Sequence, residues 1–344
     1  MIPHAAAEAG RTVPSAPSSP TGRRAAVLGL LVLSPISAEY LIGYGESTGR
    51  PLELLAGLLI LAPLYGTAAV LVREAARTAG RGWPTVLLLS AAAGLVQAGL
   101  VDQSLFHRDV ATDDPEWATE PWRTVVPGLG VDAASLLNYV GGHVVWSFAA
   151  PIAVVEASAG RLADRRWLGR GGLCAMVSLW ALSAALVYQD TGADAGAGAG
   201  RLTLVGLTVV ALVGAAFAVR PGRSGSALAA PAWWWVGGVA GGVWVGNLLL
   251  PATWWGLAVN VVVLCALCGL LLCWSGRRGW GPRQVLAVAG AALVVRGGLA
   301  FAVEPLGEVD SSTKYLVNAA LLAGVVVLLL VAWRRTGRRE AGAC

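Results

Sequence analysis

Residues Asn138 to Glu156 read NYVGGHVVWSFAAPIAVVE, an apolar run that carries a histidine, a serine and a proline yet is long enough to cross about 30 Å of hydrocarbon as a helix. Tyr139, His143 and Ser147 follow one another at i, i+4 and share a helical face. Pro151 has no N–H, so the carbonyl of Ser147 loses its normal helical donor. Lipid offers neither donor nor acceptor, and such a face must turn toward other helices or a wet cavity. This stretch decides the class of fold: a membrane-spanning helix with a polar side implies neighbours that cover that side.

The rest of the chain supplies them. Of 344 residues 56% are hydrophobic and 13% charged, with a mean hydropathy of +0.66, whereas a soluble domain is about one quarter charged. Ten apolar segments follow in order: 25–44, 54–72, 84–101, 135–157, 172–188, 202–219, 233–250, 254–274, 285–303 and 315–333. The expected architecture is therefore all-α, a polytopic transmembrane bundle of about ten helices over residues 23–334. A disordered cytoplasmic tail, 1–22, precedes it and a cytoplasmic tail, 335–344, follows. Arg23 and Arg24 before an apolar run also resemble the start of a signal peptide, but the run continues through Tyr40 and Ile42, beyond the small residue Ala38, which favours an uncleaved first helix.

Charge tests the helix count independently, because cytoplasmic loops collect Lys and Arg. With the N-terminus inside, Arg50, Arg108, Arg123, Arg201 and Lys314 fall in outer segments, Arg296 falls within a helix, and the remaining 19 of the 25 basic residues fall in inner segments. Both termini are thus expected in the cytoplasm. Acidic residues lean the other way and concentrate in the long outer connection 102–134, where Trp117, Pro121 and Trp122 suggest a piece lying at headgroup level. The bland reading of that loop is a solvated segment that avoids basic residues for topological reasons.

Cys265 and Cys268 form a C-x-x-C inside an apolar run with no second pair, and are expected to be buried as small hydrophobes rather than to bind metal. No metal site, cofactor or nucleic-acid partner is expected. WWWVGGVAGGVWVGNLLL places Gly237, Gly238, Gly241, Gly242 and Gly246 where a neighbouring helix can approach closely. The AGAGAG near Ala195 to Gly200 lacks the Lys-Ser/Thr ending of a phosphate loop and reads as a flexible outer linker.

Placing polar residues by depth gives the candidate site. Glu39, Gln97, Asn247 and Arg296 on outward-running helices, and Asn138, His143, Ser147, Asn260 and Asn318 on inward-running ones, form a set expected to line an outward-facing polar cavity. Glu39 and Arg296 are the opposite charges deep enough to need each other, and are expected to pair directly or through water. The plainer account is that these groups only hydrogen-bond helices together, at about 0.6 to 2 kcal/mol each.

Four stretches carry a resemblance: LSPISAEYLIGYGE (Leu33 to Glu46), LYGTAAVLVREAARTAGRGWP (Leu64 to Pro84), AAGLVQAGLVDQSLF (Ala92 to Phe106) and GGHVVWSFAAPIAVVE (Gly141 to Glu156). Together they resemble an uncharacterised family of bacterial multi-pass membrane proteins with no established activity, over the first half of the chain. In that family the segment matching Leu95 to Leu100 often carries adjacent glutamates, and here Gln97-Ala98 stands in their place. Adjacent glutamates followed by intramembrane histidines also resemble CAAX-type membrane proteases; the missing glutamate pair and the single intramembrane histidine depart from that pattern. The resemblance implies a location in the bacterial plasma membrane.

Three functions remain in play: a permease-like or solute-binding membrane protein taking a small solute or ion, an intramembrane enzyme using His143 with Glu39 or Asp102, and a structural or accessory subunit. The lipid bilayer is the partner common to all three.

Overall fold

The computed structural model describes residues 20–106, 122–193, 196–219, 226–305 and 308–341, so the expected tail before Pro20 and the loop residues Trp117 and Pro121 lie outside the described residues. All ten apolar segments are helical. In chain order the helices are α1 (Pro20–Pro35), α2 (Pro51–Leu61), α3 (Thr67–Thr78), α4 (Trp83–Val96), α5 (Ala133–Gly142), α6 (Ala150–Ala159), α7 (Arg170–Val187), α8 (Ala199–Ala218), α9 (Trp233–Leu248), α10 (Trp254–Ser275), α11 (Pro282–Leu299) and α12 (Ser311–Ala341). Wide-turned π segments join α2 to α3 and α5 to α6 into continuous rods.

Seven of the resulting rods are long and apolar enough to cross a membrane: Pro51–Thr78, Trp83–Val101, Ala133–Leu162, Arg170–Gly192, Ala199–Ala218, Trp254–Ser275 and Ser311–Gly337. The other three fall short for visible reasons. Arg23 and Arg24 lie in α1 and Glu39 just beyond it, α9 has 16 residues, and α11 carries Arg283, Gln284 and Arg296.

α6 occupies the centre. Every residue from Ala150 to Ala157 is buried, and α1, α11 and α12 pack around it with α3 alongside. Leu30, Ala69, Val70, Val86, Ile152 and Leu293 form the heart of this core. On the periphery the pattern inverts: Leu52, Leu59, Val210, Leu249 and Leu316 are each at least 70% exposed. So continuous an apolar exterior would drive aggregation in water and suits a lipid surround. Strands are confined, among the described residues, to two short ladders in connections, Val125–Val126 with Val131–Asp132 and Ser226–Ala229 with Arg277–Arg278.

Several details differ from expectation. Cys174, Cys265, Cys268 and Cys273 are exposed on the outside of the bundle rather than buried, because α7 and α10 pack against it through few residues. Of the α9 glycines, Gly237 and Gly241 face Ala287 and Ala291 of α11, while Gly238, Gly242 and Gly246 face open space. Only Gly237 and Gly241 among these glycines therefore serve the close approach to α11. α8 begins at Ala199, so the end of the Gly/Ala stretch is helical, and α12 runs on to Ala341 without a break at the membrane end.

Candidate functional site

Five π-helical segments interrupt the bundle: Ile36–Tyr40, Ala62–Gly66, Gln97–Val101, His143–Ala149 and Tyr188–Gly192. Such segments are rare and gather at functional sites. Proline explains three of them. Pro35 and Pro151 flank two segments and Pro63 lies inside a third, and each removes a backbone donor that the wider turn then need not supply. The freed carbonyls find side-chain donors: Ser34 Oγ donates to the Ser147 carbonyl at 2.5 Å and Ser37 Oγ to the Trp146 carbonyl at 2.5 Å. The unpaired carbonyl implied by Pro151 is therefore satisfied from α1, and this contact locks the two helices together.

The segments also bring their side chains to one place. Glu39 comes from the first, Tyr65 from the second, Gln97 from the third, His143 and Ser147 from the fourth. Tyr44 Oη donates to Glu39 Oε2 at 2.8 Å, and the Tyr65 hydroxyl reaches the same carboxylate. His143 Nδ1 lies 3.0 Å from Ser147 Oγ, and its ring sits 5.6 Å from that of Tyr65 and 6.3 Å from Phe148. Asp102, Glu39 and Arg296 all act electrostatically on the histidine. Gly94 makes this possible, since a Cβ there would fall 2.7 Å from His143 Cβ.

Asp102 closes the cluster from the end of α4. Gln103 adopts φ 54°, a left-handed conformation uncommon for a residue with a side chain, and turns the chain back so that Ser104 N–H donates to Asp102 Oδ1 at 2.9 Å. Gln97 Nε2 donates to Asp102 Oδ2 at 3.1 Å. Backbone irregularity and charge thus coincide, the pattern expected where structure holds a residue for use.

Arg296 enters from α11. Its Nη2 donates to the carbonyl of Ala38 at 2.6 Å rather than to the neighbouring Glu39 carboxylate, its guanidinium lies over Trp146 at 4.5 Å, and its Nε is buried without a partner. Glu39 is the largest electrostatic influence on it among the charged groups. The two are neighbours held through the backbone of the π segment Ile36–Tyr40. Glu39, His143 and Arg296 are half-buried.

Four expected members lie elsewhere. Asn247 and Asn260 exchange reciprocal amide hydrogen bonds of 3.2 and 3.1 Å between α9 and α10, a closed pair that ties a peripheral hairpin. Asn138 is exposed on α5. Asn318 is buried, donates to the Ala300 carbonyl at 2.9 Å, and packs on Gly43, whose φ of +69° and lack of a Cβ let the chain turn against it. Depth along the membrane brought these residues level with the cluster; helix rotation and position turned them away. A surface depression of about 730 Å3 opens at the connection from α11 to α12, lined by Glu304, Asp310 and Lys314 among others, and no cluster residue lines it.

The opposite end of the bundle holds a second charged assembly. Arg73 is fully buried, with Nε 3.0 Å from Glu156 Oε1 and Nη1 2.5 Å from Glu74 Oε1, while Nη2 donates to the carbonyls of Leu162 and Ala163. Arg77 grips Glu156 with Nε at 2.7 Å and Nη2 at 2.6 Å. Glu74 accepts the N–H groups of Trp167 and Leu168, and Arg73 stacks on the Trp167 ring at 3.7 Å. Two arginines balance two glutamates, and the arrangement fixes α3, α6 and the chain between α6 and α7.

The residues that depth placement missed are Tyr44, Tyr65, Ser34 and Ser37 around the cluster, and Arg73, Glu74, Arg77, Glu156 and Trp167 opposite it. The tyrosines looked apolar although each carries a hydroxyl that must be satisfied when buried. The signal for the second group was present: RExxR at a helix end, with a glutamate directly after PIAVV, is too charged for lipid and requires partners.

The fold and its polar interior define a class, an all-α helical bundle with at least seven helices fit to cross a membrane and an ionisable cluster within it. No protein-family model, curated protein or solved structure matches the chain.

Proposed function

We propose that this is a ten-span protein of the cell membrane, both termini cytoplasmic, whose polar cluster receives a small solute or ion from the outer side, in the manner of a permease or a membrane solute-binding protein. The carrying observation is the coincidence of π segments with Glu39, Tyr65, Gln97 and His143, of which Tyr65 and Gln97 are buried and Glu39 and His143 half-buried. Irregular backbone at membrane depth is tolerated where it lines a cavity, and transporters place broken helices at their binding sites. The positive-inside distribution supports ten spans. α9, about 24 Å long at 1.5 Å per residue, is short enough to need local thinning of the bilayer or the extra residues Leu249 and Leu250.

The enzyme reading is weaker, because the hydrogen bond made by His143 goes to Ser147 and not to a carboxylate. The purely structural reading fits the assembly around Arg73 better than the cluster, since Arg296 Nε has no partner to hold.

Cysteine accessibility tests the proposal. With the native cysteines replaced by alanine, His143→Cys, at a half-buried position of the cluster, should react in right-side-out vesicles with a membrane-impermeant thiol reagent added outside, and Ala153→Cys in the packed centre of α6 should not. Inert His143→Cys in folded protein would rule out an outward-open site.

A further inference from the structure

The end of the bundle that holds the Arg73 assembly also carries arginines which that assembly does not use. We infer that Arg24, Arg161, Arg334 and Arg335 form a surface for the phosphate of an anionic phospholipid, seated where the last turn of α6 meets α1 and α12. Packing brings them together. Ser34 and Ser37 donate to the Ser147 and Trp146 carbonyls, and a Cβ at Gly29 would lie 3.8 Å from Val155, so α1 runs antiparallel to α6. Equal steps from that contact set Arg24 level with Gly160. Arg335 Nη1 donates to the Ser158 carbonyl at 2.7 Å, and α12 also packs on Gly160–Leu162, the turn that holds Arg161. Three separate elements thus carry arginines to one level around the end of α6.

The nearby carboxylates are already engaged. Glu156 is held by Arg73 and Arg77, Glu74 by Arg73 and the N–H groups of Trp167 and Leu168, and Asp164 acts on Arg77. All four arginines are exposed, and among the described residues no ion pair reaches any of them. Along the same helices the surface turns apolar at once: Leu28, one turn from Arg24, is 61% exposed, and Leu330, one turn from Arg334, is 53% exposed. Guanidinium groups on one side of this boundary and aliphatic side chains on the other match a phospholipid. Its acyl chains would lie on the leucines and its phosphodiester would meet arginines able to donate paired N–H groups. A free phosphate uses the arginines alone. Excess arginine at one end of a bundle acts on membrane insertion through sequence position, and that role does not require arginines of three elements to meet.

Native mass spectrometry tests the inference by counting lipids bound to the purified protein in detergent, titrated with phosphatidylglycerol or with zwitterionic phosphatidylcholine of the same acyl chains. Phosphatidylglycerol should bind at least about tenfold more tightly. Arg161→Gln combined with Arg334→Gln should weaken it at least about tenfold, since each basic residue near a lipid surface contributes about fivefold. The control pair, Arg50→Gln with Arg278→Gln, removes the same charge at exposed sites elsewhere and should change the affinity by less than about twofold. If the double variant fails to fold, Arg161→Gln alone, expected about fivefold weaker, and the weakening of phosphatidylglycerol binding by salt in the unmodified protein decide. Excess inorganic phosphate should leave the lipid bound; displacement by it would assign the arginines to a soluble phosphate compound and overturn the lipid. Equal binding of the two lipids, unchanged affinity in the folded double variant, or an equal loss in the control pair would each overturn the inference as well. External labelling of His143→Cys decides the solute-site reading separately.

Discussion

Replacing Glu156 by glutamine is the sharpest test of the buried charge assembly. The carboxylate accepts three charge-assisted hydrogen bonds, from Arg73 Nε at 3.0 Å and from Arg77 Nε and Nη2 at 2.7 and 2.6 Å. Glutamine has nearly the same shape but one acceptor oxygen, and its amide N–H groups would meet an arginine donor. Two arginines, one of them fully buried, would then share the single carboxylate of Glu74. Stranding a buried charge in this way costs about 3 to 5 kcal/mol, a large part of a typical total stability of about 5 to 15 kcal/mol. Glu53→Gln at the exposed pair with Arg50 is the internal control and should cost no more than about 1 kcal/mol. Reversible unfolding in mixed micelles, followed by circular dichroism against the mole fraction of denaturing detergent, reads both. If charge is the cause, removing Arg77 and Glu156 together as methionines leaves Arg73 with Glu74 and should recover at least half the loss. A Glu156→Gln variant within about 1 kcal/mol of the parent would refute the reasoning.

Two further outcomes follow from the geometry. Leucine at Gly237 should lower folded yield and stability well beyond leucine at Gly242, because a Cβ at Gly237 already lies 3.4 Å from Ala287 whereas Gly242 has nothing within 4 Å; equal effects would show that α9 and α11 do not pack as described. Asp132 caps α5, accepting from Ser135 N–H at 2.9 Å and from Thr124 N–H at 2.7 Å. Burial alone would raise its pKa, but these donors and the two hydroxyls outweigh it and hold the carboxyl below its ordinary value. A depressed folded pKa contributes stability above the unfolded value near 3.9 and loses it as pH falls through the folded one. Asp132→Ala should thus cost about 1 kcal/mol at pH 7, shrinking below about pH 4; a cost that stays constant down to pH 2 would show that the charge plays no part.

Much of this protein was legible in one dimension. Apolar runs specify helices, seven of them long and apolar enough to cross a membrane, because length and hydropathy are local properties that need no partner to be read. Pro151 likewise announced a carbonyl without a donor. What completes that carbonyl is a serine 113 positions away, and nothing in the local sequence identifies it. The same limit separates Asn247, Asn260 and Asn138 from the cluster: depth follows from position along a helix, but the direction a side chain faces depends on which helix packs beside it. The wide turns rotate Glu39, Tyr65 and His143 toward one another, and their register arises from proline, glycine and close packing acting together. Composition and periodicity therefore decided that the chain enters the membrane as helices, whereas long-range packing decided which of its polar groups meet there, since hydrocarbon leaves each buried charge no partner except one carried by another helix.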